Sequence, residues 1–274
     1  MVYNRIFIIS FSIHEANLTN PFQALITVLI GILVVLLIMA SIYAAVGHGG
    51  ASGYLAVLLL AGFAPESLRP LVLLMNVVVT GYLLARTQWF FWTKQGFFPI
   101  LMMASVPAAF VGGSLQLDDS VYRFILGVLM LLSIVRLLTS KQDSVNTVTP
   151  QKIPVVLVGL ILGFLSGLTG IGGGVLLSPL LVFFKWADIR HSIPIVAGFI
   201  FINSLSGLAG WLFSGRSLLT VDATFMLQAV VIAFGGAILG SLWSKKYASN
   251  KSLRYVLSLV LAVAGGKMII SSIS

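Results

Sequence analysis

The chain has 274 residues, 59% of them hydrophobic and only 8% charged, with a net charge of +9 and no cysteine. A soluble domain carries about 25% charged residues, so this is an integral membrane protein with no room for a separate soluble domain. The absence of cysteine excludes disulfides, thiolate chemistry and cysteine metal sites. The basic excess lies in short loops between apolar runs, where it sets topology and does not indicate nucleic-acid binding.

In chain order, residues 1–20 read as a retained tail or a short interfacial segment. Arg5 and the apolar run after it have the outline of a signal peptide, but no small-residue cleavage motif follows. An apolar segment over 21–46 leads into Gly47-His48-Gly49-Gly50, and a shorter one over 52–63 comes next. Longer segments cover 70–86, 97–115 and 121–139, and the hydrophilic stretch 140–152 then divides the chain. Beyond it, 153–169 leads into Gly170-Ile171-Gly172-Gly173-Gly174 and the short run 175–185, followed by 194–213, 220–244 and 253–270. A full crossing needs about 20 residues. Each short segment is therefore expected to complete a hairpin whose turn is recessed in the membrane.

The two halves align. Gly170 follows Gly47 by 123 residues (170 − 47), Asn203 follows Asn76 by 127 (203 − 76), and Arg254 follows Arg123 by 131 (254 − 123). Lys267 follows Arg136 at that same last offset, so four anchors keep one order. If each hairpin counts as two crossings or none, each half has an odd number of crossings and the halves are inverted. One face then holds Arg86, Lys94, Arg136, Lys141, Lys152, Lys185, Arg190, Lys245, Lys246, Lys251 and Arg254. The other holds Arg5, Arg69, Arg123, Arg216 and Lys267. With one crossing per hairpin, the same 16 charges divide evenly. The positive-inside rule favours the biased distribution. The expected fold is an all-α integral membrane protein with two inverted-topology repeats, each with a Gly-rich recessed helical hairpin. Its parts are a tail (1–20), a first repeat (21–139), a cytoplasmic linker (140–152) and a second repeat (153–274), with both termini outside.

Dense glycine breaks a helix and allows close backbone approach to a ligand. Irregular backbone at membrane depth survives only where it is buried in protein or lines a polar cavity. Exposed N–H groups where a helix resumes, together with its dipole, make an anion site that needs no charged side chain. Matched breaks in two halves point to a transporter's substrate site, although glycines also permit close helix packing. The candidate substrate-binding residues are Gly47, His48, Gly49, Gly50, Ser52, Asn76, Gly170, Gly172, Gly173, Gly174 and Asn203. Asn76 and Asn203 either face the substrate as donors or make interhelical hydrogen bonds. Ser178, Thr169, Ser204 and Ser206 are weaker candidates. His48 stands where the second half has Ile171; it either senses pH or shuttles a proton, or is a neutral structural histidine. Glu66 is expected to pair with Arg69. A side chain at Gly127, in an ordinary span, is expected to be tolerated better than one at Gly49 or Gly173.

No Gly-x-Ser-x-Gly elbow, His-Glu-x-x-His or P-loop lysine occurs. His14, His48 and His191 are too scattered for a metal ligand set. Neither an enzyme nor a cofactor is indicated.

The pattern GLTGIGGGVLLSPLLVFF, then WADIRHS and IFINSLSGLAGWLFSG, resembles the TauE/SafE family of sulfite exporters and anion permeases. So does SVPAAFVGGSLQLDDSVYRFILGVLMLL in the first half. The resemblance covers about 21–270, and the second glycine motif is its more specific part. The first motif departs from it, with His48 inside and Ala51 at its last position. The resemblance implies a multi-pass carrier of the bacterial inner membrane for small sulfur-containing anions such as sulfite, sulfonates, sulfoacetate or thiosulfate. It implies export linked to protons, with membrane lipid as a further partner and no nucleic acid. The alternatives are a channel or permease for another small solute, a membrane-embedded enzyme, or a membrane subunit of a larger complex.

Overall fold

The computed structural model describes residues 21–45, 47–86, 96–139, 147–187, 189–247 and 251–273. The expected tail 1–20 and the 140–146 part of the expected linker lie outside the described residues. Among those described there are ten α-helices and no strand. They are α1 (Pro21–Ala45), α2 (Ala51–Leu60), α3 (Pro65–Ala85), α4 (Phe97–Ser114) and α5 (Asp119–Thr139), then α6 (Lys152–Thr169), α7 (Gly174–Phe183), α8 (Ile189–Phe213), α9 (Ala223–Tyr247) and α10 (Lys251–Ile273). Among the described residues, six of them (α1, α3, α4, α6, α8 and α9) are long and apolar enough to cross a membrane. Helices suit that setting because they satisfy their own backbone polar groups without water. Helices α2 and α7 have 10 residues each, which at 1.5 Å per residue is about half of a bilayer core.

Two helices start earlier than the apolar pattern indicates. Helix α3 begins at Pro65 and α8 at Ile189, and each carries a proline inside it, Pro70 and Pro194. Pro65 suits the first turn, where its missing N–H has no partner to lose. Glu66 and Arg69 in one first turn, and Arg190 and His191 in the other, are polar and so hide both starts from an apolar scan. At the start of α9, Asp222 Oδ1 accepts from Phe225 N at 3.0 Å, a side-chain cap for an otherwise unpaired donor.

Helix α1 packs along α9, and α6 along α4; α5 lies on α10, α3 on α8, α4 on α8 and α9 on α3. With the halves taken as α1–α5 and α6–α10, each of these pairings maps onto another or onto itself. Several depend on absent side chains. On α6, a Cβ at Gly163 would strike the Ser105 carbonyl of α4, and one at Gly167 the Ala109 carbonyl. On α9, Gly236 and Gly240 approach the backbone of α1 in the same way. Gly127 belongs to this class and not to the tolerant one: a Cβ there would lie 2.8 Å from Gly265 O and from Ile269 Cγ1 of α10. The expectation of a mild substitution at Gly127 is therefore corrected, because the helix-to-helix spacing leaves no room for one.

The buried apolar residues form two clusters. One joins α1, α2, α3, α5, α9 and α10, and the other α4, α6, α7 and α8. Ile171 and Val175, from the second glycine segment, sit in the first cluster and so lock the halves together. Met103, Ile153, Phe183 and Phe213 are each at least 75% exposed, an apolar outer surface that suits lipid and not water. At one end of the bundle Thr220 Oγ1 donates to Ser67 O (2.6 Å) and Lys267 Nζ to Leu59 O (3.2 Å). At the opposite end Val148 N donates to Lys185 O at 2.8 Å.

Candidate functional site

Each glycine segment owes its path to residues without a Cβ. In the first, Gly47 (φ 77°) and Gly50 (φ 91°) take the left-handed region, and Gly50 serves as the N-cap of α2. In the second, Gly170 (φ 80°) ends α6, and Gly172 (φ 78°) and Gly173 (φ 67°) carry the chain into α7. A side chain would be strained at all five. His48 N donates to Tyr43 O (2.9 Å), Gly170 N to Ser166 O (3.0 Å) and Leu177 N to Gly173 O (3.0 Å), which tie each segment to its flanking helix.

The two segments meet at Asn76. This residue of α3 is fully buried, and its Nδ2 lies 3.4 Å from both Gly170 O and Ser204 Oγ, too far for a strong bond. Its Oδ1 has no partner. A Cβ on Gly49 would sit 2.5 Å from Asn76 Oδ1, and one on Gly172 would sit 2.7 Å from Asn76 Nδ2. One amide therefore fills the gap between the first and second segments. Ile200 of α8 touches the same place: a Cβ on Gly49, Gly172 or Gly174 would collide with it.

A second link runs through His48. Its Nε2 lies 2.8 Å from Ser178 Oγ of α7, and Ser178 in turn donates to Gly174 O at 2.9 Å. A hydroxyl has a single hydrogen. With that hydrogen on Gly174 O, Nε2 of His48 is the donor to Ser178. The histidine that breaks the sequence symmetry thus connects the first glycine segment to the helix following the second.

The remaining candidates divide. Ser52 faces α1, with its Oγ 2.9 Å from Tyr43 Oη. Asn203 is fully buried, but its Nδ2 donates to Phe199 O of its own helix at 2.8 Å and its Oδ1 is unpartnered. It does not share the junction at Asn76. Thr169 Oγ1 donates back to Leu165 O (2.7 Å), and Ser206 Oγ donates to Val106 O of α4 (2.6 Å). Among the described residues no group of three or more His, Cys, Asp or Glu could hold a metal ion.

The sequence reading missed two features beside this junction. Tyr54, buried on α2, holds its ring against Gly50 and leaves its hydroxyl unpartnered. Arg69 is 3% exposed and does not pair with Glu66. Its Nε donates to Gly167 O (2.9 Å), its Nη1 to Leu115 O (3.0 Å) and its Nη2 to Gly112 O. Its side-chain stem lies against Gly170. The signal available in the sequence was an arginine followed directly by proline at the start of a span. An arginine so nearly buried makes its hydrogen bonds to whatever backbone carbonyls lie near, here the ends of α4 and α6.

The arrangement offers backbone, amide, hydroxyl and one imidazole at a buried junction between two short helices. It suits reversible binding of a small solute. The family model for "Sulfite exporter TauE/SafE" matches residues 32–268. A protein named as a probable membrane transporter in Sinorhizobium fredii is 33% identical over 251 residues, covering 88% of this chain and 98% of its own length. Another so named, in Methanocaldococcus jannaschii, is 28% identical over 54% of this chain and 57% of its own length. A third, in Bacillus subtilis, is 27% identical over 43% and 41%. No solved structure matches the chain.

Proposed function

Since the chain belongs to the sulfite exporter TauE/SafE family of membrane transporters, we propose that it is a secondary carrier of small sulfur-containing anions. The class is sulfite, sulfonate, sulfoacetate or thiosulfate, carried outward with protons as the coupling ion. The observation that carries this reading is the junction at Asn76, where both glycine segments close on one buried amide. An anion there would be held by the N–H groups at the starts of α2 and α7 and by the amide of Asn76; Asn203, whose amide bonds Phe199 O of its own helix, would act outside the junction. Stripping an anion of water requires several hydrogen bonds in return. Among the proposed site residues, His48 alone carries an imidazole, the side-chain type used for proton transfer around physiological pH, which makes it the candidate for the proton.

The carrier is read as two inverted repeats, 21–139 and 153–274, joined by a cytoplasmic linker over 140–152 and preceded by a tail over 1–20. The reciprocal pairing of α1 with α9 and of α6 with α4 supports that reading. So does the collection of 115–118, 214–220 and Lys267 at the end away from Val148 and Lys185. The glycine segments are then the tips of hairpins entering from opposite faces.

A thermal-shift panel of sulfite, thiosulfate, taurine, sulfoacetate and simple carboxylates on the detergent-purified protein tests the substrate class. A ligand of the native state raises stability by mass action, and sulfur oxyanions are expected to do so while carboxylates do not. Flux in proteoliposomes should be saturable and should respond to a pH gradient; flux that rises without saturation would indicate a channel.

A further inference from the structure

The buried arginine belongs to an open pocket that the transport reading leaves unused. Glu66 and Arg69 from α3, Gln116 from the α4–α5 turn, Tyr122 from α5, Trp211 from the end of α8 and Arg216 from the loop after it line about 310 Å³ of empty space, open solvent at the mouth included. Both guanidinium groups face the Trp211 ring, Arg69 Cζ at 5.3 Å and Arg216 Cζ at 3.9 Å from its centroid. The ring is fixed by its own N–H, which donates to Ser217 O at 2.8 Å. Arg216 donates from Nε to Ser214 Oγ (2.7 Å), and from Nη2 to Gly113 O (2.8 Å) and Leu115 O (3.4 Å). A guanidinium has five N–H donors. Arg69 has one hydrogen left on each Nη, and among the described residues the Nη1 of Arg216 has no partner. Glu66 forms no ion pair with either. Two fixed cations and one carboxylate leave the pocket with a net charge of +1, with spare donors beside an aromatic wall.

Two of the lining side chains reach from this pocket to the end of α6 and the second glycine segment. Tyr122 Oη donates to Thr169 O at 3.1 Å, Arg69 Nε to Gly167 O, and the stem of Arg69 covers Gly170. An anion in the pocket would be separated from the Asn76 junction only by that turn. Structural capping explains the bonds from both arginines to the last carbonyls of α4. It does not explain why both cations share one open pocket and leave the nearby carboxylate unpaired.

We infer that this pocket is a second anion site: a vestibule on the face opposite the Lys185 loop, in which Arg69 and Arg216 hold a small oxyanion on its way to or from the glycine junction. The oxyanion's oxygens take the spare N–H donors, with the Gln116 amide as a further donor, and any alkyl part lies on Trp211. Glu66 limits residence by opposing the bound charge. This inference rests on the reading of the protein as an anion carrier.

The test measures radiolabelled sulfite flux in right-side-out and inside-out membrane vesicles. Arg69 bonds three carbonyls, so its variants would confound folding with binding; Arg216 and Glu66 carry the test instead. Arg216→Gln should raise the half-saturating sulfite concentration about tenfold in right-side-out vesicles and leave it within twofold in inside-out vesicles. Arg216→Lys should keep part of the affinity, and Glu66→Gln should tighten binding a few-fold in the same orientation. A shift confined to one orientation supports the vestibule and shows which face it opens on. If Arg216→Gln and Glu66→Gln leave both orientations unchanged, or move both equally, the vestibule is excluded while saturable wild-type flux upholds the carrier. Wild-type vesicles with no saturable sulfite flux in either orientation would overturn the carrier reading, and the vestibule with it.

Discussion

A side chain kept for stability should be well bonded, and Asn76 is not. Its Nδ2 contacts are 3.4 Å long and its buried Oδ1 is unpartnered. A buried polar atom left unpaired costs about 1–3 kcal/mol. Asn76→Leu is therefore expected to leave the melting temperature unchanged or raised while weakening sulfite binding about 10- to 150-fold, the range for one hydrogen bond to a charged ligand. Thermal unfolding and calorimetric titration of the same preparation separate the two effects; a fall in melting temperature with unaltered affinity would make Asn76 a structural residue. Gly49→Ala places its new carbon against the same amide, so the pair should be strongly non-additive in a double-mutant cycle. His48→Gln removes the one imidazole among the proposed site residues, and if that imidazole is the coupling group the pH profile of transport between about pH 6 and 8 should flatten. A profile identical to that of the wild type would remove His48 from proton coupling. Sequence symmetry paired Asn76 with Asn203, and the structure sets Asn76 against both glycine segments. Symmetry could not tell that Asn203 bonds its own helix, since a side-chain rotamer leaves no mark on spacing.

Helix positions were legible almost throughout, because a span of apolar residues between short polar loops has few alternatives in a membrane. The early starts of α3 and α8 were not, since their first turns carry polar residues, Glu66 and Arg69 in one and Arg190 and His191 in the other, that an apolar scan passes over. Glycine use was only half legible. A left-handed turn and a close helix crossing both call for the absence of a Cβ, and the sequence presents the same letter for each. Gly127 shows the cost of that ambiguity. The structure separates the classes: Gly159, Gly163 and Gly167 form a stripe that seats α6 on α4. Gly31 has nothing within 4 Å of its would-be Cβ. Gly163→Ala is expected to destabilise the protein by about 1–3 kcal/mol, the range for overpacking. Gly31→Ala should be neutral, or stabilising by up to about 1 kcal/mol from helix propensity. Chemical denaturation in mixed micelles should reproduce that order, and equal midpoints for the two variants would mean that the α4–α6 crossing is looser than described.

For the whole molecule, the sidedness of the two ends tests the orientation in which the inverted repeats are proposed to sit. The chain has no cysteine, so single cysteines can be introduced at positions 118 and 146 without background. With an impermeant thiol reagent on intact spheroplasts, Asp118→Cys should label and Asn146→Cys should not. Labelling of both, or of 146 alone, would contradict that orientation. The arrangement around Asn76 has a mechanical consequence at this scale. Gly49 and Gly172 each lack the one carbon that would strike the Asn76 amide, so a single spacer sets the position of both glycine turns. Parts that share a spacer are tied to one another: a change of volume at position 76 is felt by both glycine turns at once, so neither turn can be altered there alone.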